Sequence, residues 1–240
     1  MEGLMDMHCH LLPEVDDGAQ NIQETAAMMK IAYDDGIRTI MVTPHHHGGR
    51  YQPSKEKIRR QYAKLQEMLH ASGLDLHVYL GQEIYYQQEI PERLNQGELF
   101  TLAASNYVLI EFSGNVLPSE IRMAVQSLTM EGYLPILAHV ERYGCLVKEP
   151  AMVTELVELG AYIQVNGASI LEGSFGTKRY IKGLLKKGLV HLVASDAHGT
   201  SYRTPELSKV YEKIVKKYGT AYGRELLVEN PERIIRNEYI

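Results

Sequence analysis

The chain has few cysteines, no long apolar run and no run of basic residues, and each lack excludes a class of protein. Its two cysteines, Cys9 and Cys145, are too few for a disulfide framework. No apolar stretch approaches the roughly 18 residues of a membrane span, and no charged segment followed by an apolar one marks an export signal. We therefore expect a cytoplasmic protein without a membrane span.

Positive charge is also thinly spread. The formal net charge is −5 at pH 7, and lysine and arginine are scattered along the chain. Proteins that bind nucleic acid usually concentrate basic residues, so nucleic acid is not an expected partner. With 240 residues, 45% of them hydrophobic, the chain can bury one sizeable core, and we predict a single domain over residues 1–240.

Short runs rich in β-forming residues alternate with segments of helical periodicity. Seven strands are predicted, at Leu4–Leu11, Thr39–His45, Leu76–Tyr85, Tyr107–Phe112, Leu134–His139, Tyr162–Asn166 and Leu189–Asp196. Helix starts are predicted at Pro118, Pro150 and Pro205. The alternation indicates an α/β fold whose parallel strands close into a distorted (β/α)7 barrel, with an open doubly wound sheet as the alternative.

Histidines and carboxylates gather at the predicted carboxyl ends of these strands, where barrel enzymes hold their active sites. His8 and His10 lie two apart in the first strand, so both imidazoles should project from one face. Met7, Cys9 and Leu11 should then share the other face. Asp196 and His198 repeat the spacing at the last strand, which becomes the neighbour of the first when a barrel closes.

The other strand ends and one loop add further donors, and together they predict a metal centre. The candidate ligands are His8, His10, Asp17, His45, Glu83, Glu111, His139, Asp196 and His198. Taken singly, a carboxylate such as Asp17 could brace a turn instead. Five imidazoles and four carboxylates exceed the needs of one tetrahedral zinc ion and suit two or three ions such as Mn²⁺, Fe²⁺ or Zn²⁺. Within the triple histidine His45 is favoured, because it is nearest the strand end.

Two arginines follow these ligands and favour a phosphate substrate. Arg142 comes three residues after His139 and Arg203 five after His198, so their guanidinium groups could bind phosphoryl oxygens, the alternative being surface ion pairs. A cysteine-nucleophile phosphatase is excluded, because that mechanism needs an arginine six residues after the thiolate. Those positions hold Val15 and Ala151.

The motifs M-D-M-H-C-H-L-L-P-E-V-D-D-G, G-Q-E-I, L-I-E-F, A-H-x-E-R and V-A-S-D-A-H resemble those of the PHP (polymerase and histidinol phosphatase) superfamily. They are most similar to the bacterial manganese-dependent tyrosine phosphatases of capsule and exopolysaccharide operons. The resemblance implies three metal sites, with the ligand sets His8, His10, Glu83 and Asp196, then Glu83, Glu111 and His139, then Asp17, His45 and His198. It assigns phosphate binding to Arg142 and Arg203, and Val140 replaces a proline usual in the family.

The resemblance also implies the activity. It predicts a metal-dependent protein-tyrosine phosphatase that hydrolyses phosphotyrosine on the tail of a bacterial tyrosine kinase, by attack of a metal-activated hydroxide, with Mn²⁺ favoured over Fe or Zn. Two alternatives stay open. One is a small-molecule phosphatase of the histidinol-phosphatase type, which would use nearly the same metal cage. The other is a catalytically idle module that binds the kinase.

Overall fold

The computed structural model describes residues 3–240, and within that range every pairing between strands is parallel. The strands are β1 Leu4–Cys9, β2 Ile37–Val42, β3 His45–His46, β4 His77–Leu80, β5 Glu83–Tyr85, β6 Tyr107–Glu111, β7 Leu134–Leu137, β8 Tyr162–Asn166 and β9 Leu192–Ala194. They form two ladders, in the orders β1-β2-β4 and β3-β5-β6-β7-β8-β9.

Helices separate most of the strands. They are α1 Ile22–Asp34, α2 Lys55–Ser72, α3 Ile90–Asn95, α4 Pro118–Met130, α5 Gly144–Lys148, α6 Ala151–Glu158, α7 Gly167–Leu171, α8 Phe175–Lys186, α9 Ser208–Tyr218, α10 Thr220–Arg224 and α11 Asn230–Ile235. Short 3₁₀ turns cover Leu102–Ala104 and Val140–Arg142, and a π-helical turn covers Glu225–Glu229. Among the described residues, no helix is both long enough and apolar enough to cross a bilayer.

The end of the last strand returns to the first. Cys9 in β1 pairs with Ala197 just after β9, and the backbone N–H of Asp196 donates to the carbonyl of His8 at 2.8 Å. The sheet therefore curls into a distorted parallel barrel. This confirms the predicted α/β barrel class over the open doubly wound sheet.

Two of the predicted strands are each broken in two, and four of the other five lie one to three residues inside a predicted end. The strand predicted at Thr39–His45 stops at Val42, since Pro44 has no N–H to continue a ladder. The strand predicted at Leu76–Tyr85 stops at Leu80. At Gly81 a Cβ would lie 2.6 Å from the Leu102 side chain, so a larger residue there would have to displace Leu102. Both second halves join the other ladder, where His45 pairs directly with Glu83.

The helix predicted to start at Pro205 starts instead at Ser208. The reason is a tertiary cap, because the Asp35 carboxylate in the turn after α1 accepts hydrogen bonds from the backbone N–H groups of Leu207, at 2.5 Å, and Ser208, at 2.8 Å. The other two predicted starts are confirmed. Pro118 is the first residue of α4, and Pro150 is the cap of α6.

The barrel interior changes from apolar to polar along its axis. A buried cluster of side chains from several strands, including Met7, Met41, Leu109, Ile136 and Leu192, fills the lower interior. A larger cluster packs the helices on the outside of the sheet. The polar residues described below occupy the end of the interior that the strands' carboxyl ends define.

The first strand does not present the regular alternation that was predicted. Met7 packs in the interior cluster, whereas Cys9 and Leu11 pack in the outer one. The cause is an irregularity in the β1–β2 register between Asp6 and Cys9, which changes the face that the following residues present.

Candidate metal centre

The two histidines of β1 open the site. His8 and His10 are fully buried, and their Nε2 atoms lie 3.2 Å apart. The His10 amide N–H donates to the carbonyl of Ala197 at 2.9 Å, so the strand end that holds this pair is fixed to the end of the last strand. Both rings thus face one point in the barrel mouth.

Glu83 lies at the centre of the cluster. One carboxylate oxygen, Oε2, is 3.1 Å from His8 Nε2, 3.2 Å from His10 Nε2 and 3.0 Å from His45 Nδ1. The other, Oε1, is 2.9 Å from His139 Nε2. The Glu83 N–H donates to Pro44 O at 3.1 Å, so the break that interrupts the second predicted strand also holds Glu83 in place. One carboxylate is in contact with four imidazoles.

Asp196 closes the site on the side of β9. Its Oδ1 lies 3.3 Å from His8 Nε2, while its Oδ2 accepts from Arg142 at 2.7 Å and from Asn166 at 2.8 Å. Arg203 also pairs with Oδ2. One oxygen therefore faces the histidines and the other holds the arginines.

The rim of the cluster is completed by two more carboxylates and two histidines. Glu111 Oε1 is 3.1 Å from His45 Nδ1. Asp17 Oδ1 lies 3.5 Å from His45 Nε2 and 3.6 Å from His198 Nε2. All nine candidate ligands are thus brought together. Arg142 and Arg203 join them.

The donors fit divalent cations. Six buried atoms of these residues have no hydrogen-bond partner within the described chain: His45 Nδ1, Glu83 Oε2, Glu111 Oε1, His139 Nδ1, Asp196 Oδ1 and His198 Nε2. Buried polar atoms are rarely left without partners, so such a cluster fits the binding of a cation. Two donors bound to one ion at about 2.0–2.2 Å lie about 3.0–3.6 Å apart, which is the spacing found here.

The geometry sorts the donors into three overlapping groups. They are His8, His10, Glu83 and Asp196, then His45, Glu83 and Glu111, then His10, Asp17, His45 and His198. The first group equals the first predicted ligand set. The second group contains His45 in the place of His139, which belonged to the second predicted set. His139 is still near this group, since its Nε2 lies 3.8 Å from Glu111 Oε2. The third contains the third predicted set and adds His10.

The electrostatics keep the central carboxylates ionised. Burial alone would raise the pKa of Glu83, but the adjacent His8 and His45 outweigh it and hold that pKa well below its usual range. The pKa of Asp196 is likewise low, because His8 and His10 outweigh its burial. Both carboxylates are therefore anionic at neutral pH, as metal binding would need.

Three polar residues that support the ligands were missed by sequence reasoning. Asp16 Oδ2 accepts from His10 Nδ1 and from the His45 amide N–H, both at 2.8 Å. Gln164 Oε1 accepts from the amide N–H of His139 at 2.7 Å. Asn166 donates to Asp196. Gln164 and Asn166 are two apart in β8, and that spacing was the available signal for a shared inward face.

Three of the seven described non-glycine residues with positive φ lie at this site. His139, Asp196 and Arg203 all have positive φ angles, of 33°, 54° and 53°. This left-handed region costs a non-glycine residue about 1–2 kcal/mol. Hydrogen bonds hold two of these backbones, because Gln164 accepts from the His139 N–H and the carbonyl of His8 accepts from the Asp196 N–H at 2.8 Å.

The remaining histidines have other surroundings. His46 is buried with its Nε2 2.9 Å from an Arg93 nitrogen, and the His47 ring lies 4.1 Å from the Tyr85 ring. His191 accepts from the Ile163 N–H at 3.0 Å, away from the cluster. Of the triple histidine, only His45 belongs to the grouped donors.

Neither cysteine has the environment of a nucleophile. Cys9 is fully buried, and burial raises the pKa of its thiol well above the usual value. Burial also raises the pKa of Cys145. A low pKa is what makes a thiol reactive, so the chemistry of this site does not depend on sulfur.

A model of the capsular polysaccharide synthesis family CpsB/CapC matches residues 4–236 of the chain. The chain belongs to the CpsB/CapC family. It is 35% identical to tyrosine-protein phosphatase CpsB of Streptococcus pneumoniae, over 99% of this chain and 100% of that protein. It is also 35% identical to tyrosine-protein phosphatase YwqE of Bacillus subtilis, over 99% and 93%.

A solved structure shows the same fold for this CpsB/CapC chain. It comes from crystal structures of YwqE of Bacillus subtilis and CpsB of Streptococcus pneumoniae, described as metal-dependent tyrosine phosphatases. The TM-score is 0.92 at 34% identity, covering 98% of this chain and 96% of the other. The resemblance read from the motifs is confirmed at the level of the family.

Proposed function

We propose that this chain is a metal-dependent protein-tyrosine phosphatase that acts on the phosphotyrosine tail of a bacterial tyrosine kinase in capsule or exopolysaccharide synthesis. The observation that carries the proposal is the convergence of eight grouped donor residues, with His139 in contact with Glu83, beside two arginines. The names of the CpsB and YwqE relatives support phosphotyrosine as the substrate. We assign the reaction to the cytoplasm, since a chain with two cysteines suits a reducing compartment.

The nine candidate ligands would hold two or three divalent cations. Mixed imidazole and carboxylate donors suit Mn²⁺, and also Fe²⁺ and Zn²⁺, and we favour Mn²⁺ on the family resemblance. Such ions, when bound, neutralise phosphoryl oxygens and lower the pKa of water. The low pKa values of Glu83 and Asp196 suit this role, because both are charged before any ion arrives.

The two arginines bind the phosphoryl group in this proposal. A guanidinium carries five N–H donors, and the recorded contacts to Asp196 use one nitrogen of Arg142 and two of Arg203. The Asp196 carboxylate fixes the position of both groups, and the side chain of Arg142 is still 44% exposed. Remaining donors can therefore reach phosphoryl oxygens without moving the arginines out of place.

The walls of the site favour an aryl ester. The site opens into a cavity of about 300 Å³, whose lining includes Tyr51, Tyr85 and Phe112. Aromatic side chains pack well against another ring, which a phosphotyrosine would bring. The same lining includes Arg50, Arg142 and Arg203, which would repel the ammonium group of histidinol phosphate once bound cations neutralise the four carboxylates of the lining, Asp17, Glu83, Glu111 and Asp196.

The test compares turnover of a phosphotyrosyl peptide and of histidinol phosphate by the Mn²⁺-loaded protein. We expect a strong preference for the peptide, and we expect Asp196→Asn to abolish turnover while circular dichroism shows that the fold is kept. Asp75→Asn, at a side chain that is 84% exposed, is the matched control and should keep full activity. A preference for histidinol phosphate would contradict the substrate. A wild type without turnover under any metal would favour the kinase-binding module.

A further inference from the structure

A groove between two surface helices lies outside the metal centre. It runs between α8 and α9, encloses about 190 Å³ and has Ile170, Ile181 and Ile214 in its floor. Its rim, which we call the lysine groove, is formed by Lys178 and Lys182 of α8 and Lys213 and Lys217 of α9. All four lysines are exposed, and no carboxylate is among the described residues that line the groove.

Positive charge is concentrated in this part of an acidic chain. Residues 173–224 contain eleven lysines and arginines but three aspartates and glutamates, against a net charge of −5 for the whole protein. The sequence does not show this excess of positive charge as one basic run, because the lysines belong to two helices separated by β9. The pKa of Lys217 is lowered, first by partial burial and then by the positive charges of Lys182, Lys186 and Lys213.

A second cavity adjoins the metal centre and extends to α9, the helix that carries half of the lysine groove. It encloses about 560 Å³ and has Arg142, Arg203 and Lys209 in its lining. Lys209, Lys213 and Lys217 are four residues apart in α9 and therefore form one row about 12 Å long on its surface. Leu171 lines the second cavity and its neighbour Ile170 lines the groove, so both cavities reach α7 as well as α9.

We propose that the lysine groove binds an anionic segment of the same peptide whose phosphotyrosine occupies the metal centre. This inference rests on the proposed function and names its substrate class as a phosphotyrosyl chain with further negative charge, carried by carboxylates or by a second phosphotyrosine. The row of lysines attracts such a chain, and the apolar floor accepts side chains between the charges. The groove is concave, which suits a peptide better than a flat lipid surface.

The position of the negative charges follows from the geometry. Glu172 and Glu206 line the second cavity, so the charge there is mixed and an acidic residue of the peptide gains little. Beyond them the lining is only basic and apolar. An extended peptide covers about 3.3 Å per residue, so the row in α9 spans about four residues. The preferred charges should therefore lie several residues away from the phosphotyrosine.

The test measures kcat/KM for three phosphotyrosyl peptides. The first, called neutral, has uncharged residues on both sides of the phosphotyrosine. The second has glutamates four to eight residues before the phosphotyrosine, and the third has them four to eight residues after it. The wild type should prefer one acidic peptide over the neutral one by about tenfold at low salt, and the preference should shrink as salt rises. Lys182→Gln/Lys217→Gln should remove the preference and leave turnover of p-nitrophenyl phosphate unchanged. Arg60→Gln/Lys64→Gln on α2, both exposed, removes the same charge elsewhere and should keep the preference.

Two results would overturn the inference. Equal turnover of neutral and acidic peptides by the wild type would refute the lysine groove while leaving the phosphatase intact, whereas failure on every phosphotyrosyl peptide would refute the proposed function itself. A Lys182→Gln/Lys217→Gln variant that keeps the peptide preference but no longer sediments with phosphatidylglycerol vesicles would assign the groove to a membrane surface.

Discussion

Asp16 offers a test of how the metal centre is held, because its carboxylate supports two ligands without belonging to any of the grouped donors. It accepts from His10 Nδ1 and from the His45 N–H, both at 2.8 Å, and its other oxygen accepts from the Gly18 N–H at 3.0 Å. In Asp16→Asn the negative charge is lost, and an amide nitrogen in the place of Oδ2 can accept neither from His10 nor from the His45 N–H. The His10 ring then loses the partner that keeps Nε2 free to bind a cation.

The expected size of this effect follows from similar contacts behind metal ligands. Losing the partner of a ligating histidine typically weakens metal binding about 10- to 100-fold, which corresponds to roughly 1.4–2.7 kcal/mol. The side chain of Asp16 is almost fully buried, so solvent cannot replace the lost charge. We therefore expect an effect in the upper half of this range.

The assay is isothermal titration of the metal-free protein with Mn²⁺, which reports affinity and the number of ions without relying on turnover. Asp34→Asn is the matched control, since Asp34 pairs with Lys30 on the surface of α1 and should leave Mn²⁺ affinity unchanged. An Asp16→Asn protein that folds normally and binds Mn²⁺ within twofold of wild type would refute the reasoning.

Three further predictions concern stability, backbone fit and phosphate binding. Burial lowers the pKa of His191 to about 4 from 6.5, so between these pH values the unfolded chain binds a proton that the folded protein does not. Because of this group, the free energy of unfolding should fall by about 2 kcal/mol between pH 7 and pH 5. In urea unfolding, the fall over this pH range should be smaller by that amount in His191→Asn than in wild type. A Cβ at Gly18 would lie 2.1 Å from the His10 carbonyl oxygen, so Gly18→Ala should lower the free energy of unfolding by about 2–3 kcal/mol, measured by thermal unfolding. Gly183 lies in α8 with open space around it, so Gly183→Ala should raise the free energy of unfolding by about 0.5–1 kcal/mol. Arg203→Lys keeps the charge but loses the planar fork, so kcat/KM should fall about 10- to 100-fold in steady-state assays.

Each of these has an outcome that would contradict it. Parallel stability curves for wild type and His191→Asn from pH 7 to 5 would show that this histidine is not the cause. Equal Tm changes for the two glycine variants would deny a close approach at Gly18. Unchanged kcat/KM in Arg203→Lys would mean that a point charge suffices at that position.

The barrel and its ligands could be predicted because their signals are local. Alternation of strand and helix patterns indicates parallel strands. Pairs such as His8 and His10, two residues apart in a strand, are expected to project from the same face. The barrel class is confirmed by the fold. That these side chains bind metal remains a proposal, which their convergence supports.

The strand breaks could not be read from the sequence. In the sequence, Thr39–His45 and Leu76–Tyr85 each look like one strand. The break in the second lies at Gly81, against which Leu102 packs from a turn that is distant in the sequence. The consequence is functional, because the displaced halves place His45 opposite Glu83.

The supporting residues were missed for the same reason. Asp16, Gln164 and Asn166 look like ordinary polar residues until the fold sets them behind His10, His139 and Asp196. The lysine groove is also invisible in the sequence, since its two helices meet only in space.

The central claim is that bound metal, and not cysteine, drives hydrolysis of phosphotyrosine. The most direct measurement is turnover of a phosphotyrosyl peptide by protein stripped with a chelator, by the same protein restored with Mn²⁺, and by protein treated with iodoacetamide. We predict that activity disappears with the chelator, returns with Mn²⁺ and survives alkylation. Activity that resists the chelator and is lost on alkylation would contradict the account.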